Sequence, residues 1–127
     1  MNIKIADLMV KDVITTLPHK SIGHVKDIMK KNKISAVPVI NSENVPIGIL
    51  TSTDFQKDLN ESSPVSTILP ETIIQVPAYN NIDIAAKLML KHKIHHVLVT
   101  HEKELVGIIS SFDLIKLIAQ KKVSLKK

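Results

Sequence analysis

The sequence has no cysteine, no arginine and no tryptophan, and its only aromatic residues are two phenylalanines and one tyrosine. Without cysteine it forms no disulfide, and it offers neither a thiolate nucleophile nor a thiolate ligand for zinc. Without arginine it lacks the planar fork that contacts phosphates and guanines in a bidentate way. So few aromatic side chains give little surface on which bases could stack. These absences argue against redox, zinc-finger and nucleic-acid-binding proteins.

All 17 basic residues are therefore lysines, and the formal net charge is +5. Many of these lysines lie in three short runs, at 30–33, 91–93 and 121–127. Lysines near a helix C-terminus complement the helix dipole, so we expect solvated helix ends and a charged tail. The lysines still allow a nonspecific, salt-sensitive association with nucleic acids.

Long hydrophobic runs are also missing, since none approaches the roughly 20 residues of a membrane span. The N-terminal stretch is broken by charges and has no signal-peptide core. We therefore expect no membrane partner and take a cytoplasmic location as the default. A chain of 127 residues is long enough for one compact module with a hydrophobic core.

What the sequence does contain is an internal repeat. The stretch "GILTSTDF" at 48–55 returns as "GIISSFDL" at 107–114, and "ISAVPVI" at 34–40 returns as "IHHVLVT" at 94–100. The flanking residues match as well, with an offset of 59 or 60 throughout. This divides the chain into two repeats, 1–60 and 61–127, joined at the polar segment 59–64.

Each repeat follows the order strand, helix, strand, strand, helix. The first strands, 13–17 and 73–76, end before Pro18 and Pro77. The first helices begin after Ser21 and Asn81 and carry apolar residues at helical spacing. Two short strands and a second helix follow, the helix starting near Thr53 in one repeat and Phe112 in the other. This predicts an α/β (α+β) fold of two pseudo-symmetric βαββα repeats packed through their sheets.

The repeated hydroxyl-x-x-Asp element has two interpretations. Thr51 with Asp54, and Ser110 with Asp113, have the spacing of a helix capping box. The box prefers Glu or Gln at its last position, yet both copies carry Asp. Hydroxyl groups at a helix N-terminus also suit an anion. A capped helix start can still bind a ligand, so both roles stay open.

Two adjacent histidines, His95 and His96, open the second strand of repeat 2, where repeat 1 has Ser35 and Ala36. Neighbouring strand residues point to opposite faces, so one histidine is expected to be exposed and the other half-buried. A metal site is a remote alternative, because His92, His95, His96 and His101 lack the spacing of a known zinc motif and have no carboxylate partner.

The two Gly-x-x-[Ser/Thr]-x-x-Asp ends, together with "DLMVKDVIT", "ISAVPVI" and "IHHVLV", are similar to a tandem pair of cystathionine β-synthase (CBS) domains, a Bateman module. The resemblance covers nearly the whole chain. It implies two clefts between the repeats that bind an adenosine-containing ligand such as AMP, ADP, ATP or S-adenosylmethionine. It also implies assembly into a homodimer.

The resemblance implies that Asp54 and Asp113 accept hydrogen bonds from the ribose hydroxyls, and that each Asp shares a cleft with the strand of the other repeat. The two clefts would then be unequal, and only one of them would place histidines near ligand phosphates. One cleft would combine Thr51, Thr53 and Asp54 with His95 and His96, and the other Ser110, Ser111 and Asp113 with Ser35, Ala36 and Thr16. Adenine would pack between aliphatic side chains.

We therefore predict a non-catalytic sensor module that needs no cofactor and no metal and passes its ligand state to an unknown effector protein. No P-loop, nucleophile elbow or other catalytic motif appears in the sequence. The alternative is a CBS pair that binds no ligand and serves as a dimerisation or interaction module.

Overall fold

The computed structural model of the chain describes residues 2–120, so the last seven residues of the predicted second repeat lie outside the described residues. It confirms the mixed α and β class. The elements are α1 (Ile5–Leu8), α2 (Ile22–Asn32), β1 (Ala36–Ile40), β2 (Pro46–Thr51), β3 (Gln75–Pro77), α3 (Ile82–His92), β4 (His96–His101), β5 (Glu104–Ser110) and α4 (Ser111–Ala119). Two 3-10 turns cover Ser52–Phe55 and Val65–Thr67. Within the described range, every helix is too short or too polar to cross a membrane.

These residues form two compact units. The repeat-1 unit contains Val13–Ile73 and Lys103–Leu105, and the repeat-2 unit contains the described residues in 2–12, 74–102 and 106–120. The opening residues of the sequence thus belong to the unit built mainly from the second repeat. The predicted boundary after residue 60 concerns the sequence repeat and stays a prediction.

Each unit buries one face of its long helix against its own sheet. Of the positions predicted from helical spacing, Ile22, Val25 and Met29 of α2 and Ile82, Ala85 and Met89 of α3 are buried, whereas Ala86 of α3 is only half-buried. The α2 residues pack with Val37, Val39, Leu50 and Val65, and the α3 residues with Ile5, Val76, Val97, Val99, Ile109 and Leu117. Burial of these aliphatic side chains is the main stabilising contribution in each unit.

The two long helices begin differently. Ser21 caps α2 as predicted, since its hydroxyl accepts a hydrogen bond from the backbone N–H of His24 at 3.1 Å. Asn81 occupies the equivalent position of α3, but its side chain makes no capping bond and its Oδ1 is buried without a partner among the described residues. Asn81 therefore holds the predicted position without the predicted bond.

The first strand of repeat 1 is shorter than predicted. In the repeat-2 unit, β3 pairs in parallel with β4, and the bonds Leu98 N–H to Ile74 O (3.3 Å) and Ala78 N–H to Thr100 O (2.9 Å) extend the pairing. In the repeat-1 unit only Thr16 forms a bridge, to Val39. The positions equivalent to Leu98 and Ala78 are Pro38 and Pro18, which have no N–H to donate, so the ladder cannot extend in either direction.

The second helix of repeat 1 was predicted wrongly. The chain makes only the 3-10 turn Ser52–Phe55, whereas α4 in repeat 2 runs for nine residues. After Phe55 the sequence is rich in Asp, Asn and Ser, and the Asn60 side chain accepts a hydrogen bond from the backbone N–H of Ser62 at 3.0 Å. Such local bonds compete with helix formation, while the aliphatic sequence after Phe112 favours it.

Candidate functional site

In the repeat-1 unit, the end of β2 lies beside the start of β1. Antiparallel pairing sets Thr51 opposite Ala36, and the backbone N–H of Ser52 donates to the carbonyl of Ser35 at 2.9 Å. We call Ser35, Ala36 and Thr51 to Asp54 the repeat-1 junction. The strand pairing thus gathers the predicted site residues of this repeat at one edge of the sheet.

The carboxylate of Asp54 turns back onto the residue that ends β2. Its Oδ2 accepts hydrogen bonds from the Thr51 N–H at 2.7 Å and from the Thr51 hydroxyl at 3.3 Å. Ser52 and Thr53 are exposed, while Thr51 and Asp54 are half-buried. The carboxylate therefore fixes the turn, and the exposed Ser52 beside it donates its hydroxyl to the Ser35 carbonyl at 3.4 Å.

The repeat-2 junction, formed by His95, His96 and Ser110 to Asp113, has the same backbone arrangement. The N–H of Ser111 donates to the carbonyl of His95 at 2.9 Å. Asp113 Oδ2 accepts from the N–H and hydroxyl of Ser110 at 2.8 and 2.9 Å. The N–H of Asp113 donates back to the Ser110 hydroxyl at 3.1 Å, which confirms the predicted capping box at the start of α4.

Both caps use the same carboxylate oxygen. Among the hydrogen bonds formed by residues 2–120, those to Asp54 and to Asp113 end on Oδ2, and Oδ1 of either residue accepts none. A carboxylate has about four lone-pair sites, so each Asp keeps acceptor capacity after capping its turn. The capping role and a ligand role are therefore compatible in both units.

The two histidines of the repeat-2 junction differ in exposure, as expected for neighbouring residues at a strand start. His95 is exposed, and its Nδ1 lies 3.3 Å from the Ser111 hydroxyl. His96 is half-buried, and desolvation together with the nearby His95 lowers the pKa of its imidazole, while Asp113 acts to raise it. His96 is therefore predominantly neutral at neutral pH.

Thr16, the last of the predicted site residues, lies apart from the repeat-1 junction. Its bridge partner Val39 is three residues along β1 from Ala36, a distance of about 10 Å at strand spacing. Its side chain is 5 % exposed, and its hydroxyl has no hydrogen-bond partner among the described residues. The equivalent residue of the other unit is Val76, which pairs with Val99. Thr16 thus replaces a methyl group of its counterpart with a buried hydroxyl.

The structure brings Asp113 close to His96 within one unit, and it brings Thr51, Asp54 and Ser35 together within the other. The predicted combination of Asp54 with His95 and His96 joins residues of different units and stays a prediction. The four-histidine metal site gains no support, because within residues 2–120 no three His, Asp or Glu side chains are close enough to hold a metal ion.

The sequence analysis missed why a glycine precedes each junction. A Cβ at Gly48 would lie 2.6 Å from Cδ1 of Leu69, and a Cβ at Gly107 would lie 2.6 Å from Sδ of Met9. Met9 and Leu69 belong to the segments that lead into the next unit along the chain, and each packs on a central position of a strand. The signal in the sequence was that both members of the contact recur, "DLM" at 7–9 as "TIL" at 67–69 and Gly48 as Gly107.

Comparison with known proteins gives one family for both halves. The model of the CBS domain matches residues 5–61 and again residues 65–120. A solved structure of the CBS domain pair of protein MJ0100, in complex with 5′-methylthioadenosine and S-adenosyl-L-methionine, superimposes with a TM-score of 0.87. That pair is 27 % identical and covers 95 % of this chain and 99 % of its own.

Two relatives show the sequence identity of the match and the share of each protein that it covers. Inosine-5′-monophosphate dehydrogenase of Aquifex aeolicus is 36 % identical over 112 residues, which are 85 % of this chain but 23 % of that enzyme. The chain thus spans less than a quarter of the enzyme that it matches. The CBS domain-containing protein YhcV of Bacillus subtilis is 26 % identical over 115 residues, 87 % of this chain and 81 % of that protein.

Proposed function

Because the chain belongs to the CBS domain family, we propose that it is a non-catalytic regulatory module that binds an adenosine-containing ligand such as AMP, ADP, ATP or S-adenosylmethionine. The match to the dehydrogenase lies within 23 % of that enzyme, so its catalytic activity gives no ground for assigning an activity to this chain. The output of binding would pass to an effector protein of unknown identity.

The observation that carries this proposal is the pair of Asp carboxylates with an unused oxygen. Asp54 and Asp113 each cap a turn through Oδ2 and keep Oδ1 without a partner among the described residues. Exposed hydroxyl groups of Ser52 and Thr53 adjoin Asp54. A carboxylate oxygen accepts hydrogen bonds from the vicinal hydroxyls of a ribose, and such bonds are charge-assisted.

The likeness to the MJ0100 domain pair supports the same ligand class. The two ligands of that structure share an adenosine group and differ in what is attached to its 5′ carbon. Neither of the two carries a phosphate. In this chain the strands β1 and β4 carry no phenylalanine, tyrosine or tryptophan ring on which adenine could stack. Adenine would thus be held by burial of apolar area and by backbone hydrogen bonds.

A thermal-shift screen tests this function. We expect at least one of AMP, ADP, ATP and S-adenosylmethionine to raise the melting temperature, because a ligand that binds only the folded state stabilises it by mass action. Cytidine monophosphate, which has the ribose and phosphate without adenine, is the matched control and should have a smaller effect. No shift with any of the four at millimolar concentration would contradict the proposal.

A second function, as an interaction module, is favoured by an apolar stripe on α4. Phe112, Ile115 and Ile118 recur every three residues, and their exposed fractions are 65 %, 60 % and 43 %. An exposed stripe of this kind marks an interaction surface. We propose that a second copy of the chain covers it in a homodimer, because an isologous contact would bury Ile115 against its own symmetry mate. Dimerisation is compatible with ligand binding and would also persist in a chain that binds no ligand.

A further inference from the structure

The turn that leads into β5 has a strained backbone. Glu102 and Lys103 have positive φ angles of 49° and 75°, in the left-handed region that favours glycine and asparagine. Hairpin turns with two left-handed residues usually carry Asn-Gly or Asp-Gly, and not two long charged side chains. A strained turn of this kind persists only when contacts outside it hold it in place.

Asn44, in the turn between β1 and β2, provides such contacts through Leu105. Its carbonyl accepts a hydrogen bond from the Leu105 N–H at 2.9 Å, and its Nδ2 donates to the Leu105 carbonyl at 3.0 Å. Asn44 itself has a φ of 63°, which asparagine tolerates better than most residues. We call this pair of bonds the Asn44 latch. It satisfies both backbone groups of a buried residue that lies two positions after the strained turn.

The sequence repeat does not duplicate the latch. Counted back from the matching glycines of the two repeats, the position of Asn44 corresponds to Lys103, and that of Leu105 corresponds to Pro46. Proline has no N–H to donate to a carbonyl, and lysine has no side-chain amide. The same pair of bonds therefore cannot form with the two repeats exchanged, and the latch is a feature of Asn44 alone.

The latch connects the starts of the two strands that end at the junctions. β2 begins two residues after Asn44 and ends at the repeat-1 junction, whereas β5 contains Leu105 and ends at the repeat-2 junction. Lys103–Leu105 belong to the repeat-1 unit, and β5 continues from Val106 in the repeat-2 unit. A change in β2 can therefore reach β5 inside the repeat-1 unit and continue along the strand, since rigid elements and hydrogen bonds carry energetic coupling.

Resting on the proposed function, we propose that Asn44 couples the two junctions, so that a ligand at the repeat-1 junction raises the affinity of the repeat-2 junction. A ligand bound at the end of β2 would order that strand and Asn44 with it. The latch would then hold the strained turn and fix the start of β5, so that the second ligand has less of the chain to order. By linkage, a ligand at the repeat-2 junction raises the affinity of the repeat-1 junction by the same factor.

Two variants of Asn44 remove the latch and keep the turn that carries it. Asn44→Gly deletes the side-chain bond and leaves a residue that adopts a positive φ readily. Asn44→Asp keeps the shape of the side chain but sets a carboxylate oxygen against the Leu105 carbonyl. Asn32→Asp is the matched control, because the Asn32 side chain also donates to a backbone carbonyl, that of Ile28 at 2.8 Å, and neither residue belongs to a junction.

Calorimetric titration with AMP measures the coupling. Asp54→Ala and Asp113→Ala each weaken one junction, so each variant reports the affinity of the other junction alone. The coupling factor is the product of the two wild-type association constants divided by the product of these two single-junction constants. We expect a factor of about 5 or more in wild type and in Asn32→Asp. In Asn44→Gly and Asn44→Asp the factor should be close to one, with the single-junction affinities unchanged.

Hydrogen exchange tests the same connection without a ligand. Asp54→Ala loosens the repeat-1 junction, because it removes the bonds to Thr51. If the latch transmits this change, the amides of Ser111 and Asp113 in the repeat-2 junction should exchange several-fold faster than in wild type. In the Asn44→Gly background, Asp54→Ala should leave the exchange of both amides unchanged.

A coupling factor close to one in wild type, binding at only one junction, or an undiminished factor in both Asn44 variants would overturn the coupling of affinities while leaving the proposed function intact. If AMP binds neither junction, the proposed function fails, and the exchange experiment still tests the connection through Asn44. Exchange of Ser111 and Asp113 that ignores Asp54→Ala, or that responds equally with and without Asn44, would contradict that connection.

Discussion

At the scale of single residues, glycine is needed at positions 48 and 107 because a Cβ would clash with neighbouring atoms, and not because the backbone is in a left-handed conformation. Among the described residues no glycine has a positive φ. A Cβ at Gly107 would meet the carbonyl oxygen of Val10 at 2.8 Å as well as the Met9 side chain, whereas the three atoms nearest to a Cβ at Gly48 all belong to the side chain of Leu69. Side-chain atoms move aside more easily than backbone atoms do.

We predict that Gly107→Ala and Gly48→Ala both lower the free energy of unfolding, by about 1–3 kcal/mol as is typical of overpacking. Gly107→Ala should have the larger effect, because the Val10 carbonyl takes part in the bridge with Ile108. Gly23→Ala is the control, since its Cβ would lie no closer than 3.1 Å to Glu61 and alanine favours the helix. Urea denaturation measures the free energy of unfolding of all three variants. A Gly107→Ala variant as stable as wild type would contradict the packing described for Met9.

The capping bonds of the two junctions were predictable because a repeat marks their residues twice. Asp54 and Asp113 stand at the same distance after a hydroxyl residue, and the capping box has a known spacing. The surroundings of His96 were not predictable, since Asp113, which acts to raise its pKa, is 17 residues away in the sequence. Sequence spacing shows which groups recur, and long-range contacts decide their electrostatic surroundings.

At the scale of elements, prolines explain why two matching segments differ. Residues 13–17 read as a strand from their β-branched composition, yet only Thr16 bridges β1. The prediction considered residues within the segment, whereas the missing donors are Pro38 in the partner strand and Pro18 beyond the segment's end. A strand extends only as far as its partner strand offers hydrogen-bond donors and acceptors. The composition of one segment alone therefore predicts a strand that is too long.

We predict that Ala78→Pro destabilises the protein, because it removes the 2.9 Å bond from the Ala78 N–H to the carbonyl of Thr100. A buried carbonyl left without a donor costs about 1–3 kcal/mol. The reciprocal variant Pro18→Ala adds a backbone N–H donor, which stabilises the fold, and makes the unfolded chain more flexible, which destabilises it. Because these effects oppose each other, the free energy of unfolding should change by no more than about 1 kcal/mol. Equal destabilisation by both variants in urea denaturation would contradict this account.

At the scale of the whole molecule, the apolar stripe of α4 predicts a homodimer in solution. Sedimentation at micromolar concentration should give the mass of two chains. Ile115→Lys should shift the equilibrium towards the monomer, because a charge would be buried at the symmetry axis. Leu90→Lys changes the most exposed of the large hydrophobic residues, at 81 %, on α3 instead of α4, and should leave the dimer intact. A wild-type monomer would contradict the predicted assembly.

The central claim is that the oxygen of Asp54 or Asp113 left free by the cap binds the ribose of an adenosine ligand. It is tested most directly by calorimetric titration of AMP and its 2′,3′-dideoxy analogue into wild type, Asp54→Asn and Asp113→Asn. Wild type should bind AMP about ten- to a hundredfold tighter than the analogue, the loss expected for a charge-assisted hydrogen bond. At least one Asn variant should lose this preference, since the amide can still cap its turn but offers no charge. Equal affinities of wild type for the two ligands, or an undiminished preference in both variants, would show that the repeated Asp is a helix cap alone.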